Sequence, residues 1–349
     1  MDARRLAVCI SAFEYGGQGT VVEQELTALR EHFRVTLLAD VIRRPVPEGI
    51  HAVSNAPGIQ SVLQSRGLIR QLREVDVIHC HDSLRYMWAA QQSGVPWIVT
   101  SHGICPNRYR GSARSRVEGS ITKLAYPRLY RKANRVVAIS AYIRTWLATC
   151  ARVDAQLIRN GLSEVDASTY ERPARRSLLY VGEVSRRKGI GLLIFGLKNL
   201  PSDVTLTIVG KGHIKEYADL ATRLSVTDRV SFTGEIGDTE LRRYYRNAFA
   251  VISASQWEGF GLPILEGFGH GRPALVRPVG GLWELVDRSR AGLYFSDSAE
   301  LRSAFVQVDE NWETLSRAAT RFALGQDWTQ VFDAYRALLL QCVESAGCA

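Results

Sequence analysis

The sequence predicts an α/β protein with two doubly wound domains, each built on a parallel sheet. Short apolar segments rich in Val, Ile and Leu recur along the chain, and most of them lack polar alternation. Strands that are buried on both faces have this composition. Segments with helical periodicity separate them, which is typical of parallel sheets with helices on both faces. The length of 349 residues, at about 150 residues per domain, favours two domains.

The first half of the chain contains six predicted strands. They are Leu6–Ala12, Val35–Ala39, Val75–His81, Trp97–His102, Arg135–Ser140 and Gln156–Arg159. The segment Val21–Glu31 follows the first strand and has apolar residues at helical spacing. Because strand–helix alternation continues through this half, we assign residues 1–168 to one Rossmann-like domain.

The alternation stops over residues 162–177, which are polar, contain Pro173 and have no clear period, so we place a linker there. A second Rossmann-like domain, residues 175–326, follows. Its predicted strands are Leu178–Gly182, Leu206–Gly210, Val230–Thr233, Phe249–Ala254, Ala274–Arg277 and Gly292–Phe295. Its helical segments include Ile190–Asn199, Ile214–Leu224 and Glu240–Asn247. A last segment, Asp327–Glu344, has apolar residues at helical spacing and predicts a packing helix.

The composition predicts neither a membrane span nor a disulfide framework. No apolar run approaches the ~20 residues that a spanning helix needs. The segment Leu6–Ala12 is short and runs into Glu14 and a Gly-rich turn, unlike a signal peptide. The six cysteines are scattered without C-x-x-C spacing, so we expect free thiols, no zinc site and a cytoplasmic location.

The positive charge is concentrated between Cys105 and Arg135. The whole chain carries +9, and nine Arg or Lys residues against Glu118 give this segment +8. A local basic field favours phosphates, acidic lipid headgroups or nucleic acid, although a solvated helix face would also carry it. Apolar and aromatic residues are interleaved with these charges, as in helices that lie on membrane surfaces. They are Leu124, Ala125, Tyr126, Leu129 and Tyr130.

Residues 253–271 have the features of an anion site. A strand ends near Ser255, and Gly259 and Gly261 allow a ligand to approach the backbone closely. Pro263 suits the first turn of a helix. A strand, a glycine-bearing loop and a helix N-terminus together form a phosphate site.

Two carboxylates, Glu258 and Glu266, flank this loop. They would repel phosphate, so we expect them to face hydroxyl-rich parts of a ligand. A nucleotide sugar has this layout, because a ribose and a hexose lie on either side of its diphosphate. Taken singly, either glutamate could instead have a structural role, such as complementing the helix dipole.

The arrangement of Glu258, seven residues and Glu266, followed by Gly271-Arg272-Pro273-Ala274, resembles the signature of the family 4 retaining glycosyltransferases, also called glycosyl transferases group 1. Further motifs occur in the family's order along most of the chain. They are Gly16-Gly17, Asp76–His81, Thr100–Gly103, Ile158–Gly161, Leu206–Gly210 and Phe232–Ile236. The resemblance implies the GT-B fold: two Rossmann-like domains that face a cleft, with a C-terminal helix in residues 327–349 that crosses back to the first domain.

The resemblance also implies roles for residues of this sequence. Glu266 matches the carboxylate that binds the ribose, and Glu258 matches the one beside the donor sugar. Lys188 matches the basic residue that neutralises the charge of the diphosphate. The predicted donor-binding set is Gly17, Arg186, Arg187, Lys188, Gly234, Ile236, Glu258, Gly259, Phe260, Gly261, Leu262 and Glu266. The predicted catalytic residues are His102, Glu258 and Lys188, and the predicted acceptor-binding residues are His102, Arg108 and Arg110.

One position departs from the family pattern. The family usually has Gly-Arg shortly before the lysine, whereas this chain has Gly182-Glu183. An anion there should weaken diphosphate binding, and Arg186 or Arg187 could supply the missing guanidinium from the same loop.

The activity implied by the resemblance is transfer of a hexose from a UDP- or GDP-sugar to a hydroxyl of a glycan, lipid-linked or other phosphate-bearing acceptor. The anomeric configuration would be retained by front-face attack. No D-x-D motif occurs in the sequence, so we expect no metal or other cofactor. His79 and His81 share one face of a strand, where core or cleft packing is favoured over a metal pair. Residues 105–135 would lie on the acceptor side and could contact an anionic membrane.

Three alternatives stay open at the level of sequence. A GT-B-shaped nucleotide-sugar epimerase is the first, although such enzymes lack the paired glutamates in this setting. An inactive sugar-nucleotide-binding subunit is the second, supported by Glu183 alone. A nucleic-acid binder is the third, suggested by the isoelectric point of 9.4. The sequence has no helix-turn-helix pattern, zinc spacing or aromatic and basic platform, so we expect no nucleic-acid partner.

Overall fold

The computed structural model describes residues 3–14, 16–54, 61–104, 106, 113–166 and 171–347, with backbone only at 61–65, 113–118 and 346–347. The chain divides into two compact units. The first comprises Met1–Asn107, Ala113–Gly161 and Trp328–Ala349, and the second is built on Leu162–Asp327. None of the helices in the described ranges is long and apolar enough to cross a membrane.

Seven parallel strands form the sheet of the first unit, in the order β3-β2-β1-β4-β5-β6-β7. The strands are β1 (Arg5–Phe13), β2 (Arg34–Ile42), β3 (His51–Ser54), β4 (Val77–His81), β5 (Trp97–Ser101), β6 (Arg135–Ala138) and β7 (Gln156–Leu157). The intervening helices are α1 (Gly17–Leu29), α2 (Ser61–Leu72), α3 (Leu84–Ser93), α4 (Ala113–Tyr130) and α5 (Ala141–Trp146). Every residue of β4 and β5 is buried, which explains why their sequences do not alternate.

Six parallel strands form the sheet of the second unit, in the order β10-β9-β8-β11-β12-β13. The strands are β8 (Ser177–Val181), β9 (Thr205–Val209), β10 (Val230–Gly234), β11 (Ala250–Ser253), β12 (Ala274–Val276) and β13 (Gly292–Tyr294). The helices are α6 (Ile190–Gly196), α7 (Ile214–Arg223), α8 (Asp238–Asn247), α9 (Leu262–Gly269), α10 (Gly280–Ser289), α11 (Ser298–Glu310) and α12 (Trp312–Leu324). The prediction of two parallel-sheet α/β units is therefore confirmed.

The last helix, α13 (Trp328–Gly347), packs into the core of the first unit. Its buried side chains join a cluster that contains Leu6, Val8 and Ile10 of β1. They are Trp328, Phe332, Tyr335, Leu338, Leu339 and Cys342. A methyl group on Gly161 would lie 2.7 Å from the backbone nitrogen of Trp328, so the points where the chain leaves and re-enters the first unit are in close contact.

In both sheets the strand order reverses beside the first strand. β1 lies between β2 and β4, and β8 lies between β9 and β11. The loops that follow such a pair of strands leave in opposite directions and open a crevice at the carboxyl edge, where ligands bind in open α/β sheets. We therefore expect ligands at the loops after β1 and β4 in one unit, and after β8 and β11 in the other.

Candidate active site

The loops after β8 and β11 form the candidate donor site of the second unit. The first loop contains the short 3₁₀ turn Arg186–Lys188, and the second leads into α9. The backbone N–H of Gln256 donates to the carbonyl of Arg187 at 2.9 Å, which ties the two loops together. A pocket between them is lined by side chains that include Lys188, Tyr245 and Glu258.

Lys188 and Glu258 form an ion pair in this pocket. Nζ of Lys188 lies 2.6 Å from Oε2 of Glu258, and the hydroxyl of Ser255 donates to the same oxygen at 3.3 Å. The two charged side chains are only 16% and 20% exposed. Burial acts to raise the pKa of Glu258, but the Lys188 ammonium, the Arg187 charge and the Ser255 hydroxyl together outweigh burial and hold that pKa below its ordinary value. The structure therefore brings two of the predicted catalytic residues into direct contact.

The unusual Glu183 is paired with an arginine of its own loop. A guanidinium nitrogen of Arg187 lies 3.0 Å from Oε2 of Glu183, and another donates to the carbonyl of Trp257 at 3.5 Å. The charge of Arg187 also contributes to the lowered pKa of Glu258, so this guanidinium lies close to the pocket. Arg186 is exposed. Of the two arginines that could replace the family's guanidinium, Arg187 is therefore the better placed.

The N-terminus of α9 is built as an anion site. Gly261 precedes the helix with φ 100°, a conformation that favours glycine. The N–H of Gly281, at the start of α10, donates to the carbonyl of Glu258 at 3.0 Å and ties the loop before α9 to α10. Phe260 and Leu262 are buried, so their side chains face the core and only their backbone can serve a ligand. The unbonded N–H groups of a helix start, with its dipole, attract phosphate.

Glu266 lies on α9 and is held by a tyrosine of α8. The hydroxyl of Tyr245 donates to Oε2 of Glu266 at 2.6 Å. Burial raises the pKa of Tyr245 well above its ordinary value, and the neighbouring Glu266 carboxylate adds to the effect, so Tyr245 remains a neutral donor. Tyr245 lines the same pocket as Lys188 and Glu258, so the partners of both glutamates of the motif line one pocket.

Gly234 ends β10 and Ile236 follows it at the same carboxyl edge, two strands from β8. Gly234 has φ 74°, and its carbonyl accepts from the N–H of Gly210 at 2.8 Å. The turn is therefore fixed against the end of β9, and Ile236 is half-buried just beyond it.

In the first unit, Gly17 begins α1 directly after β1. A methyl group on Gly17 would meet no described atom within 4 Å, whereas one on Gly19 would lie 1.9 Å from the carbonyl oxygen of Glu14. Packing of the described chain therefore requires a glycine at position 19 but not at position 17. The start of α1 is left open at the point where the strand order reverses.

His102 lies in a turn after β5 that Asp82 organises. The N–H groups of His102 and Gly103 donate to Oδ2 of Asp82 at 2.6 and 3.1 Å, and the hydroxyl of Tyr130 donates to Oδ1 at 2.6 Å. Burial raises the pKa of Asp82 to about 6, although these hydrogen bonds act to lower it. The backbone position of His102 is thus set by a half-buried carboxyl at the end of β4.

The imidazole of His102 belongs to a buried hydrogen-bond chain centred on Glu25. Its Nε2 lies 2.9 Å from Nδ1 of His81, and Nε2 of His81 lies 2.7 Å from Oε2 of Glu25. The other oxygen of Glu25 lies 2.5 Å from Nδ1 of His79. Nε2 of His79 lies 2.7 Å from the hydroxyl of Thr100, which lies 3.0 Å from the hydroxyl of Tyr335.

The side chains of Glu25, His79 and His81 are also residue types that bind metals, and one ligating atom from each lies within 4.8 Å of the others. They are at most 1% exposed. Each nitrogen and oxygen of this group already has a hydrogen-bond partner inside the chain described above. The geometry thus gives the group a hydrogen-bonded arrangement that is complete by itself.

The predicted acceptor-binding residues Arg108 and Arg110 lie outside the described residues, as does Cys105. In the described part of α4, Ile121 and Leu124 are 53% and 65% exposed. Tyr126, Leu129 and Tyr130 are buried, so the expectation that they contribute to a membrane-facing surface is wrong. The reason is structural, since the hydroxyls of Tyr126 and Tyr130 both bind Asp82.

Among the described cysteines, Cys9, Cys80, Cys150 and Cys342 are free thiols.

Three residues of the site were missed by sequence reasoning: Glu25, Asp82 and Tyr245. Glu25 had a usable signal, because it lies on the apolar face of α1 together with Val21, Val22 and Leu26. A carboxylate on a buried helix face requires a partner in the core. Asp82 and Tyr245 had no comparable signal, since their partners come from distant parts of the chain.

Two family models together match most of the chain. The model described as "Glycosyltransferase Family 4" matches residues 15–164, and the model described as "Glycosyl transferases group 1" matches residues 175–311. The glycogen synthase of Mycobacterium tuberculosis is 30% identical over 279 residues. That alignment covers 74% of this chain and 65% of the synthase, so the chain spans less than two thirds of that relative.

Solved structures with the same fold cover almost the whole chain. Sucrose-phosphate synthase from Thermosynechococcus elongatus superimposes with a TM-score of 0.82 at 20% identity, covering 98% of this chain and 100% of that one. HepE from Anabaena, in complex with UDP and glucose, superimposes with a TM-score of 0.80 at 18% identity, covering 97% and 100%.

Proposed function

Because the chain belongs to the family 4, or group 1, glycosyltransferases and has the GT-B fold, we propose that it transfers a hexose from a UDP- or GDP-sugar to an acceptor hydroxyl. The observation that carries the proposal is the pocket that holds Lys188, Glu258 and Tyr245 at the start of α9. A cation, a carboxylate and a helix N-terminus at one point suit the diphosphate and hydroxyls of a nucleotide sugar.

In the proposed complex the diphosphate binds at the N-terminus of α9, against the backbone of residues 259–262. Lys188 and Arg187 supply positive charge there. As the bond to the anomeric carbon breaks, negative charge grows on the leaving diphosphate, so fixed cations lower the barrier. The two cations and the helix start supply the charge that a metal would otherwise provide, so the proposed reaction needs no metal.

Glu266 and Glu258 face hydroxyl groups in this proposal. Glu266, held by Tyr245, accepts from the ribose hydroxyls, and Glu258 lies beside the donor sugar. The turn at Gly234 and Ile236 contacts the base through its backbone. His102 contacts a hydroxyl at the reacting centre, and Gly17 leaves room for a phosphate at the start of α1. The acceptor attacks on the face from which the diphosphate leaves, so the product retains its anomeric configuration.

We also propose that the acceptor is phosphate-bearing or lipid-linked, so that α4 meets an anionic surface. The support is the exposure of Ile121 and Leu124 beside the exposed basic side chains Lys123 and Arg128. Flotation with vesicles that contain phosphatidylglycerol tests this proposal. A variant with Ile121→Ser and Leu124→Ser should float less than the wild type, and equal recovery with neutral vesicles at low salt would contradict a membrane contact.

The donor is tested first by thermal shift with UDP-, GDP-, ADP- and dTDP-sugars. A ligand that binds the native state raises the melting temperature by mass action, and we expect the shift with a UDP- or GDP-sugar. Proton NMR of the products with and without an acceptor then separates the activities. A new α-linked glycoside from an α-linked donor supports retaining transfer. Conversion of the donor to another sugar without an acceptor indicates an epimerase, and binding without turnover indicates an inactive binding subunit.

A further inference from the structure

The hydrogen bonds around Glu25 determine where the protons of the buried histidines lie. A carboxylate can only accept hydrogen bonds. The two oxygens of Glu25 face Nδ1 of His79 and Nε2 of His81, so both of these nitrogens must carry a proton. Although burial acts to raise the pKa of Glu25, the two histidines lower it to about 2, so the group is an acceptor at neutral pH.

The proton on Nε2 of His81 leaves Nδ1 of its neutral ring as an acceptor. The nitrogen that faces it is Nε2 of His102, at 2.9 Å, and this nitrogen must therefore be the donor. Burial lowers the pKa of both His81 and His102, which favours their neutral rings. Because a neutral imidazole carries one proton, Nδ1 of His102 is left with a free lone pair.

The same reasoning applies to the other branch of the hydrogen-bond chain, which runs from Glu25 through His79. With its proton on Nδ1, His79 accepts at Nε2 from the hydroxyl of Thr100, and Thr100 in turn accepts from the hydroxyl of Tyr335. Every donor in the chain is therefore oriented toward the single carboxylate of Glu25, and His102 is the partly exposed end of the chain.

We propose that Glu25 is a positioning residue, which acts through His81 to hold His102 in the tautomer with its proton on Nε2 and a lone pair on Nδ1. The proposal builds on the proposed function, in which His102 contacts a substrate. Nδ1 has no hydrogen-bond partner among the described residues, so it is the atom available to a substrate. An acceptor nitrogen pairs with a hydroxyl and rejects a phosphate oxygen, so the tautomer selects a sugar or acceptor hydroxyl at this position.

The substitution Glu25→Gln keeps the shape of the side chain and removes its symmetry. An amide has one accepting oxygen and one donating nitrogen. It can therefore accept from only one of His79 and His81 and must donate to the other, which is forced into the reversed tautomer. If His81 reverses, its Nδ1 carries the proton, and His102 must then accept at Nε2 and carry its own proton on Nδ1.

Two-bond ¹H–¹⁵N correlation spectra of protein labelled with ¹⁵N-histidine measure these tautomers without any assay of activity. We assign the signals of His102 by their loss in a His102→Gln variant. In the wild type at pH 7.5, we expect His79 protonated at Nδ1 and both His81 and His102 protonated at Nε2. This measurement needs no variant at Glu25, so a wrong tautomer of His102 refutes the proposal even if Glu25→Gln does not fold.

In Glu25→Gln we expect either His79 or His81 to reverse, with His102 reversing whenever His81 does. Tyr335→Phe is the matched control, since it shortens only the opposite branch and should leave the His102 tautomer unchanged. Where His102 reverses, the turnover number should fall in proportion to its reversed fraction, by about tenfold or more at full reversal, while the dissociation constant of the nucleotide sugar stays within about twofold of the wild type.

Four results would overturn the proposal. They are a His102 protonated at Nδ1 in the wild type, unchanged tautomers of both His79 and His81 in Glu25→Gln, reversal of His81 without His102, and a stoichiometric metal ion bound by the purified protein at Glu25. Absence of transferase activity combined with the expected tautomers would refute the proposed function and leave the role of Glu25 intact.

Discussion

Nζ of Lys188 lies 2.6 Å from Oε2 of Glu258, although 70 positions separate the two residues in the sequence. The cation that is proposed to neutralise the diphosphate therefore also pairs with the carboxylate that is proposed to lie beside the donor sugar. Since both side chains are mostly buried, neither can be removed without leaving the other charge in a poorly solvated position.

Replacement of Lys188 by Met should change both the turnover number and the pKa of Glu258. The turnover number should fall about 10²–10³-fold, as is typical when one preorganised charge is lost from a transition state. The pKa of Glu258 should rise, because burial then acts on the carboxylate without its main partner. A pH profile of turnover measures both changes. The exposed Lys198→Met is the control, and a Lys188 variant with wild-type turnover would exclude Lys188 from the reaction.

Tyr245→Phe should weaken donor binding through Glu266. Loss of a hydrogen bond to a carboxylate costs about 1.5–3 kcal/mol, so we expect a roughly tenfold or larger rise in the dissociation constant of the nucleotide sugar. Calorimetric titration with a UDP- or GDP-sugar measures it. Tyr217→Phe is the matched control, since its hydroxyl has no hydrogen bond to a described residue. Equal affinities for both variants would exclude a role of Tyr245 in binding the nucleotide sugar.

Gly17→Ala should raise stability and lower activity. The added methyl group meets nothing within 4 Å among the described atoms, and alanine is favoured over glycine in a helix by up to about 1 kcal/mol. If a phosphate approaches the start of α1, the same methyl group blocks it, and turnover falls. Thermal unfolding and a transfer assay on one preparation give both values. Unchanged turnover would remove Gly17 from the proposed phosphate site.

Gly281→Ala should displace the loop between β11 and α9, which contains Glu258. The added Cβ would lie 2.3 Å from Cα of Phe260, a backbone atom that can yield only if the loop after Glu258 shifts. We expect a lower melting temperature and at least about tenfold weaker nucleotide-sugar binding, since small displacements in a site are costly. Gly325→Ala serves as the control, because its nearest contact is an ordinary 3.6 Å. A Gly281 variant with native affinity would show that α10 does not support this loop.

His270 should make the stability of the protein fall in mild acid. Burial lowers its pKa to about 4 from an ordinary value of 6.5, so the native state binds fewer protons than the unfolded state between these values. The stabilisation is present above pH 6.5 and is lost as the pH falls toward 4, by an amount on the order of 3 kcal/mol.

Urea unfolding of wild type and His270→Gln between pH 4 and 7.5 tests this prediction. His81 and His102 also have lowered pKa values and add a slope of the same sign, so the difference between the two proteins isolates His270. His51, which is exposed, provides the control variant His51→Gln. Parallel stability curves for wild type and His270→Gln would contradict the assignment.

The sequence predicted the sheets well because buried strands have a recognisable apolar composition. All twelve predicted strands occur, and β3 (His51–Ser54) is the only strand of the described residues that was missed. This strand lies at the edge of its sheet, and none of its residues is buried, so it lacks the apolar run that marked the others. Helix ends were less accurate, as for α1, which begins at Gly17 and not at Val21.

The donor pocket was predictable residue by residue where its parts are contiguous, as from Glu258 to Glu266. The partners that fix these residues were not, because they come from distant segments. Tyr245 reaches Glu266 from another helix, and Glu25 reaches His79 across 54 positions. Interleaved charge on α4 was misleading in part, since Tyr126 and Tyr130 face Asp82 instead of solvent.

The placement of α13 has a consequence for the order of events during synthesis. Arg5–Leu157 is translated before the second unit, yet the core around β1 is completed by Trp328, Phe332 and Tyr335, which are translated after it. The second unit is built on Leu162–Asp327, a continuous stretch that lies between these two parts of the first unit. The core of the first unit can therefore be completed only after the whole of Leu162–Asp327 has been synthesised.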